Sequence, residues 1–209
     1  MTSQRRDFLK ATGVGAFALA MANHTTNAAA NDQLTVAVIG PGGMGTNHTH
    51  LLAARKDVQV KYVCDVDQQR LAKAAEAVRA TSGKAPEQVG DMRKVFDDKE
   101  VDAVFIATPN HWHALAAIWA MQAGKDAYVE KPVSHNISEG RRIVQVSRKT
   151  GRICQGGTQN RSNMALAEAV EYMKAGKLGE VKLARSIIYG LRGSIGPTGK
   201  YDIPSHIDY

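Results

Sequence analysis

Leu34-Thr35-Val36-Ala37-Val38-Ile39-Gly40-Pro41-Gly42-Gly43-Met44-Gly45 is the stretch that decides the fold. Its first six residues are apolar and mostly β-branched, as a strand buried on both faces requires. Gly40, Gly42 and Gly45 then fit G-x-G-x-x-G. Alone that pattern is weak; after a strand and at the opening of a helix it reads as a dinucleotide-binding turn. The first glycine permits the tight turn, the second lets backbone approach a pyrophosphate, and the third lets helix and strand pack closely. Gly43 and Met44 lie within the same turn and belong to the expected cofactor-binding set. The start of the next helix offers unpaired N–H groups to the phosphates.

Outward from this turn the chain alternates. A helix is expected over 44–55, a strand over 58–64, and a helix over 68–80 with Leu71, Ala74, Ala75 and Val78 on one stripe. A loop holds Gly83 and Pro86, followed by a short strand near Val89 and a short helix over 92–96. A buried strand over 101–107 precedes a helix that Asn110 can cap and that Gly124 ends. A strand over 127–129, a helix over 138–149 ended by Gly151, a strand over 153–155 and a helix running to Gly176 complete the series. The last helix places Leu166, Ala169, Val170 and Met173 on its apolar face. Such alternation defines an α/β fold, a Rossmann-like doubly wound parallel sheet. A further strand is expected over 181–189, after which a Gly- and Pro-rich stretch loses all helical period.

Asp65 stands 20 residues past Gly45, at the end of the second strand. That is the place of a carboxylate that binds the adenosine ribose hydroxyls. It repels a 2′-phosphate, so NAD is favoured over NADP, with Arg70 near enough in sequence to argue the other way.

The whole chain has 209 residues, 44% hydrophobic and 22% charged, the balance of an ordinary globular protein. Its length allows one complete domain and part of a second. The net charge of +7 is scattered, and Arg141-Arg142 is the only adjacent arginine pair outside the first residues, which argues against a nucleic-acid face. Two cysteines exclude a disulfide-dense scaffold and a four-cysteine zinc site. Cys64 and Cys154 are expected to end the second and sixth strands, far apart in a sheet of order 3-2-1-4-5-6, so no disulfide is expected between them. The pairs His48/His50 and His111/His113 invite a metal reading, but neither has helical i, i+4 spacing or evident acidic partners, so no metal is expected.

Residues 1–30 read as an address. Arg5-Arg6-Asp7-Phe8-Leu9-Lys10 precedes an apolar run from Ala11 to Ala22 and the small residues Ala28-Ala29-Ala30. Charged start, short apolar middle and small-residue cleavage site make a signal peptide. The run is too short to span a bilayer. The twin arginine resembles the twin-arginine export signal, which makes the export machinery a partner and the periplasm the expected location.

Two more motifs stand at strand ends, where ligands of open α/β sheets bind. One is Thr108-Pro109-Asn110-His111-Trp112-His113, the other Glu130-Lys131-Pro132. With the glycine turn, these resemble the marks of the glucose–fructose oxidoreductase, inositol dehydrogenase and rhizopine-catabolism family (Gfo/Idh/MocA). Gly157-Thr158-Gln159-Asn160-Arg161 is similar to that family's segment after the sixth strand. The resemblance covers roughly 33–209. It implies a nicotinamide cofactor and a small sugar or polyol substrate. Lys131 is then the catalytic residue, its ammonium polarising the substrate oxygen and organising proton transfer. Glu130 binds the cofactor, and Pro132 sets the turn that points both inward, where an X–Pro cis bond is available. Thr108, Pro109 and Asn110 line the nicotinamide side with His113 above them, and Gln159 and Arg161 face the substrate.

The family also places a large, mostly antiparallel second domain after the sixth strand, with a D-x-x-x-H pair that supplies the acid/base. His206 and Asp208 have the wrong order and spacing for that pair. The expected organisation is therefore a signal peptide over 1–30, a nucleotide domain over 31–160, and the truncated start of an α+β substrate domain over 161–209. On this reading the 209-residue chain has no turnover, and a homo-oligomer is expected only of a full-length form. Three functions stay open: a sugar or polyol dehydrogenase, an NAD-dependent glycosidase working by transient oxidation, and a non-catalytic dinucleotide-binding remnant. Export weighs on the first two, because no large NAD pool exists outside the inner membrane. The nucleotide must then be held tightly and its hydride returned within each cycle or passed to a second substrate.

Overall fold

A computed structural model describes residues 33–208 apart from 188, 191, 192 and 195. The expected signal peptide at 1–30 lies outside these residues. Six strands alternate with helices: β1 (Leu34–Ile39), α1 (Met44–Ala53), β2 (Val58–Cys64), α2 (Gln68–Ser82), β3 (Glu87–Val89), α3 (Met92–Asp97), β4 (Ala103–Ile106), α4 (Asn110–Gln122), β5 (Asp126–Glu130), α5 (Ile137–Thr150), β6 (Cys154–Gly157) and α6 (Met164–Lys174). The sheet order is β3-β2-β1-β4-β5-β6, and every pair is parallel. This is the doubly wound sheet the alternation predicts. Among the described residues no helix is long and apolar enough to cross a membrane.

β1 shows why the sheet is covered on both sides. Val36 and Val38 join one core with Leu52, Leu71, Ala75 and Val78 of α1 and α2. Ala37 and Ile39 join the other with Val95, Phe96, Ala116, Ala117 and Ala120 of α3 and α4. The alanines let α4 lie close to the strands. β2 departs from its sequence pattern. Val36 pairs with Val60 but Ala37 pairs with Tyr62, so Lys61 is an extra residue in a bulge. The extra residue switches the phase: Val58 and Val60 face one core, Tyr62 and Cys64 the other.

Several local expectations need correction. Pro109, not Asn110, occupies the cap position of α4; Asn110 is the first helical residue and no side chain caps this end. The fixed φ of proline suits a helix entry. Cys154 opens β6 rather than ending it, and Cys64 ends β2. β1, β4 and β5 lie between those strands, and both thiols are free. No strand forms over the described part of 181–189, because no neighbouring strand offers it a ladder. The apolar stripe of α6 is not covered by the sheet domain among the described residues: none of the helix is buried, and Leu166, Val170 and Met173 are about half exposed.

The parallel register puts all strand ends on one edge. Ile39 lies beside Ile106, Ile106 beside Val129, and Glu130 beside Gly157. The glycine turn, the Thr108 loop, the Glu130 loop and the Gly157 turn therefore emerge side by side at the topological switch point between β1 and β4.

Candidate cofactor site

A cavity of about 460 Å³ opens at this edge. It is lined by Gly40, Gly42, Asp65, Thr108 and Pro109 among the expected residues, and by the apolar walls of Ile39, Val66, Met92, Trp112 and Trp119. That volume and mixture suit a small organic ligand.

The glycine turn is built for close approach. Gly40 has φ +80°, and a Cβ there would lie 2.7 Å from the Thr108 nitrogen. A Cβ on Gly45 would lie 1.9 Å from the Gly40 carbonyl oxygen. Strand end and helix start thus touch backbone to backbone. Gly43 sits at the cap position of α1, and no side chain caps the helix there. Met44 is the first helical residue. The open N-terminus leaves a partial positive charge facing the turn, the physical basis of pyrophosphate binding.

Asp65 follows β2. Its amide donates to the Val89 carbonyl at 3.2 Å, and its Oδ1 accepts from the Asp67 amide at 3.0 Å. Two arginines share the cavity wall, and each has a carboxylate partner. Arg70 Nε lies 3.3 Å from Asp67, and Arg93 Nη2 lies 2.6 Å from Asp91. Cys64 also lines the cavity, but burial pushes its thiol up to about 12, so it is no nucleophile at neutral pH.

One atom tests whether a cofactor fits. Thr108 Oγ1 is the single buried side-chain polar atom without a hydrogen-bond partner among the described residues. Thr108 lines the cavity. A buried hydroxyl left unpaired costs about 1–3 kcal/mol. A nucleotide in the adjoining cavity would supply that partner once the Thr108 side chain turns toward it. The glycine cradle, the open helix end, Asp65 and this hydroxyl form a consistent set for a dinucleotide.

The residues expected on the nicotinamide side divide. Lys131 is exposed and joined to Pro132 by a cis peptide bond. Glu130 is only 4% exposed and turned inward. Its Oε1 accepts from His48 Nε2 at 2.9 Å, and its Oε2 accepts from the Lys131 amide at 3.2 Å. It anchors the Lys131 loop to α1 and is absent from the cavity wall. The His48 ring packs in turn on Phe105 and Tyr128, 5.8 and 5.2 Å between centroids. Burial, then the charge of Glu130, raises the Tyr128 phenol above its ordinary range.

His113 does not stand above a ligand. It is 2% exposed, with Nδ1 2.6 Å from the Pro132 carbonyl oxygen and Nε2 2.8 Å from that of Thr108. A ring carrying both protons donates to both oxygens; a neutral ring serves one at a time. His113 thus ties the loop after β4 to the loop after β5 from beneath. Asn110 starts α4 and is exposed. Gln159 and Arg161 lie on an exposed 3-10 turn, Gln159–Ser162, directly after β6. That turn neighbours the Lys131 loop through the Glu130–Gly157 pairing.

Sequence reasoning gave no role to the His48–Glu130 pair, because its members are 82 positions apart. It also missed Trp112, Trp119 and Met92, whose only signal is a place near strand ends. His48→Ala is expected to leave Glu130 Oε1 buried without a donor and to cost about 2 kcal/mol of stability. Denaturant unfolding of the two proteins measures this. Equal midpoints would show that Glu130 draws nothing from His48.

The comparisons with known proteins agree with this geometry. Residues 34–158 match the model of the Gfo/Idh/MocA oxidoreductase family, described as having an NAD-binding Rossmann fold. The chain belongs to that oxidoreductase family. A Glycosyl hydrolase family 109 protein of Shewanella baltica is 30% identical over 174 residues, 72% of this chain and 38% of the relative. The structure of myo-inositol 2-dehydrogenase from Lactobacillus plantarum superposes with a TM-score of 0.62 at 26% identity, over 71% of this chain and 43% of that one. Levoglucosan dehydrogenase in complex with NADH gives 0.61 at 29% identity, over 70% and 40%. The chain spans under half the length of each of these proteins.

Proposed function

We propose that this chain carries the nucleotide-binding half of an exported enzyme that oxidises a sugar or polyol hydroxyl, with NAD preferred to NADP. The observation that carries the reading is the joint presence, on one sheet edge, of the glycine cradle, Asp65, the unpaired Thr108 hydroxyl and the Lys131 loop. Gly40 to Gly45 and the start of α1 hold the pyrophosphate. Asp65 accepts from the adenosine ribose hydroxyls. The nicotinamide ring, when bound, supplies a hydride acceptor. Lys131 holds its ammonium toward the substrate oxygen, while a base from another part of the enzyme removes the hydroxyl proton. Gln159 and Arg161 stand on the neighbouring turn, where they meet the substrate. The twin-arginine route and the periplasmic location are part of the proposal, as is a homo-oligomer of a longer form.

A second reading is favoured by one observation, the likeness to glycosyl hydrolase family 109 proteins. In that reading the hydride is taken and returned within each cycle and a glycosidic bond breaks. Measuring sugar release beside sugar oxidation separates the two. Nucleotide binding with neither activity would support a non-catalytic role instead.

The cofactor preference rests on charge. Asp65 repels a 2′-phosphate, and Arg93 is paired with Asp91. Arg70 touches Asp67 through Nε alone and keeps its Nη1 3.1 Å from where a Cβ on Gly42 would stand, the one cavity guanidinium that opposes the preference. Asp65→Ala is expected to weaken NAD binding on the order of tenfold and to narrow the gap to NADP, since it removes charged hydrogen bonds and a repulsion together. Titration calorimetry with each nucleotide reads both. An unchanged ratio would remove Asp65 from the ribose site.

A further inference from the structure

From Gly176 to Ile203 the chain has no helix or strand among its described residues. It then returns to the sheet at one place. The Gln68 amide donates to the His206 carbonyl at 2.9 Å, and the Asp208 amide donates to the Val66 carbonyl at 2.9 Å. Asp67 and Ile207 form an antiparallel bridge between these bonds. The Ile207 amide donates to the Pro204 carbonyl at 3.0 Å, so the strap is turned just before it docks. The His206 ring adds a contact of 3.9 Å to the Asp67 carboxylate.

The docking place is the loop between β2 and α2, which carries Asp65. The amides of Asp65 and Asp67 are already used within the nucleotide domain. The strap takes up Val66 O and the Gln68 amide, so the loop's hydrogen bonding is shared between the domain and the strap. Val66, Gly90 and Asp91 line the cavity. Asp208 Oδ2 lies 3.8 Å from the point where a Cβ on Gly90 would stand, and the Asp65 carbonyl lies 4.0 Å from that point. The Asp208 carboxylate therefore stands beside Gly90, a cavity-lining residue, and near the backbone of Asp65, without itself lining the cavity.

We infer that the strap Pro204–Asp208 is part of the nucleotide site, and that Asp208 is a second specificity-determining carboxylate that acts with Asp65 against a 2′-phosphate. The inference rests on the NAD reading above. The strap hydrogen-bonds the loop that presents Asp65, and its own carboxylate adds negative charge beside that end of the cavity. An unmodified ribose has no charge there and is little affected. Exposed charges act over short range and are screened by salt, so the effect belongs to low ionic strength.

The test uses the full chain with Asp208→Asn and Asp208→Lys, each titrated calorimetrically with NAD and with NADP at low and high salt. Asp208→Asn is expected to leave NAD affinity within about twofold and to tighten NADP about fivefold; Asp208→Lys is expected to tighten NADP more than about tenfold. Both gains shrink at high salt. A loss shared equally by the two nucleotides would mean a purely structural strap and overturn the inference, as would an unchanged ratio in both variants. The underlying reading fails separately. If the wild-type chain binds the two nucleotides equally, its NAD preference is refuted, while an NADP gain in Asp208→Lys still upholds the place of Asp208. A chain that binds neither nucleotide overturns both.

Discussion

Gly45→Ala is expected to abolish nucleotide binding and to cost the fold about 3 kcal/mol or more. The added Cβ would stand 1.9 Å from the Gly40 carbonyl oxygen and 2.9 Å from its carbon. Neither is the end of a flexible side chain. Gly40 is itself held, with a φ of +80° and its amide bonded to the Cys64 carbonyl at 2.8 Å. To accept the methyl group, α1 must move off the sheet. That motion opens the core that Leu52 shares with Val36 and Val38 and displaces the helix end that would hold the phosphates. Gly43→Ala is the control. It has nothing within 4 Å of its Cβ position, but its φ +50° and ψ −118° lie outside the left-handed helical region, so it should cost about 1–3 kcal/mol of backbone strain with no steric clash. Thermal unfolding and NAD calorimetry on both variants check this. A Gly45→Ala protein that melts with the wild type and binds NAD would refute the close-packed turn.

What was legible in the sequence follows from the range of each signal. The strand Leu34–Ile39, the turn at Gly40 and the helix at Met44 are local, and each demands particular residue types. The parallel sheet follows from their repetition. Three features were not legible because the physics is non-local or silent. The bulge at Lys61 hides in Val58–Cys64, whose polar and apolar residues alternate as in a regular strand. The stretch 181–189 has strand composition, but a strand needs a neighbour, and composition cannot supply one. His113 and His48 look like members of His-x-His pairs. Only the fold shows that one clasps two loops and that the other hydrogen-bonds Glu130. The expected motif at Glu130–Pro132 was placed correctly at a strand end. Its division of labour was not visible: the first residue is an inward brace, and the second faces outward.

That division gives the other large effect. In an active enzyme carrying this region, Lys131→Ala should lower turnover by on the order of 10²–10³ and leave NAD binding nearly unchanged. On the proposed reading the pyrophosphate is held at the end of β1 and the ribose by the carboxylate at the end of β2. Lys131 follows β5, across the switch point from both. The loop around it does not depend on its side chain. Glu130 is fixed by His48, and Pro132 is held through its carbonyl by His113. The variant therefore removes a charge from an otherwise intact frame. An ammonium matters most when negative charge develops on the substrate oxygen, so its loss appears in the transition state rather than in cofactor affinity. Lys131→Arg keeps the charge but spreads it over a planar fork, and should restore only part of the rate. Steady-state turnover measured beside NAD calorimetry decides the matter. A parallel loss of NAD affinity would assign Lys131 to cofactor binding, and full turnover in the alanine variant would remove it from the chemistry.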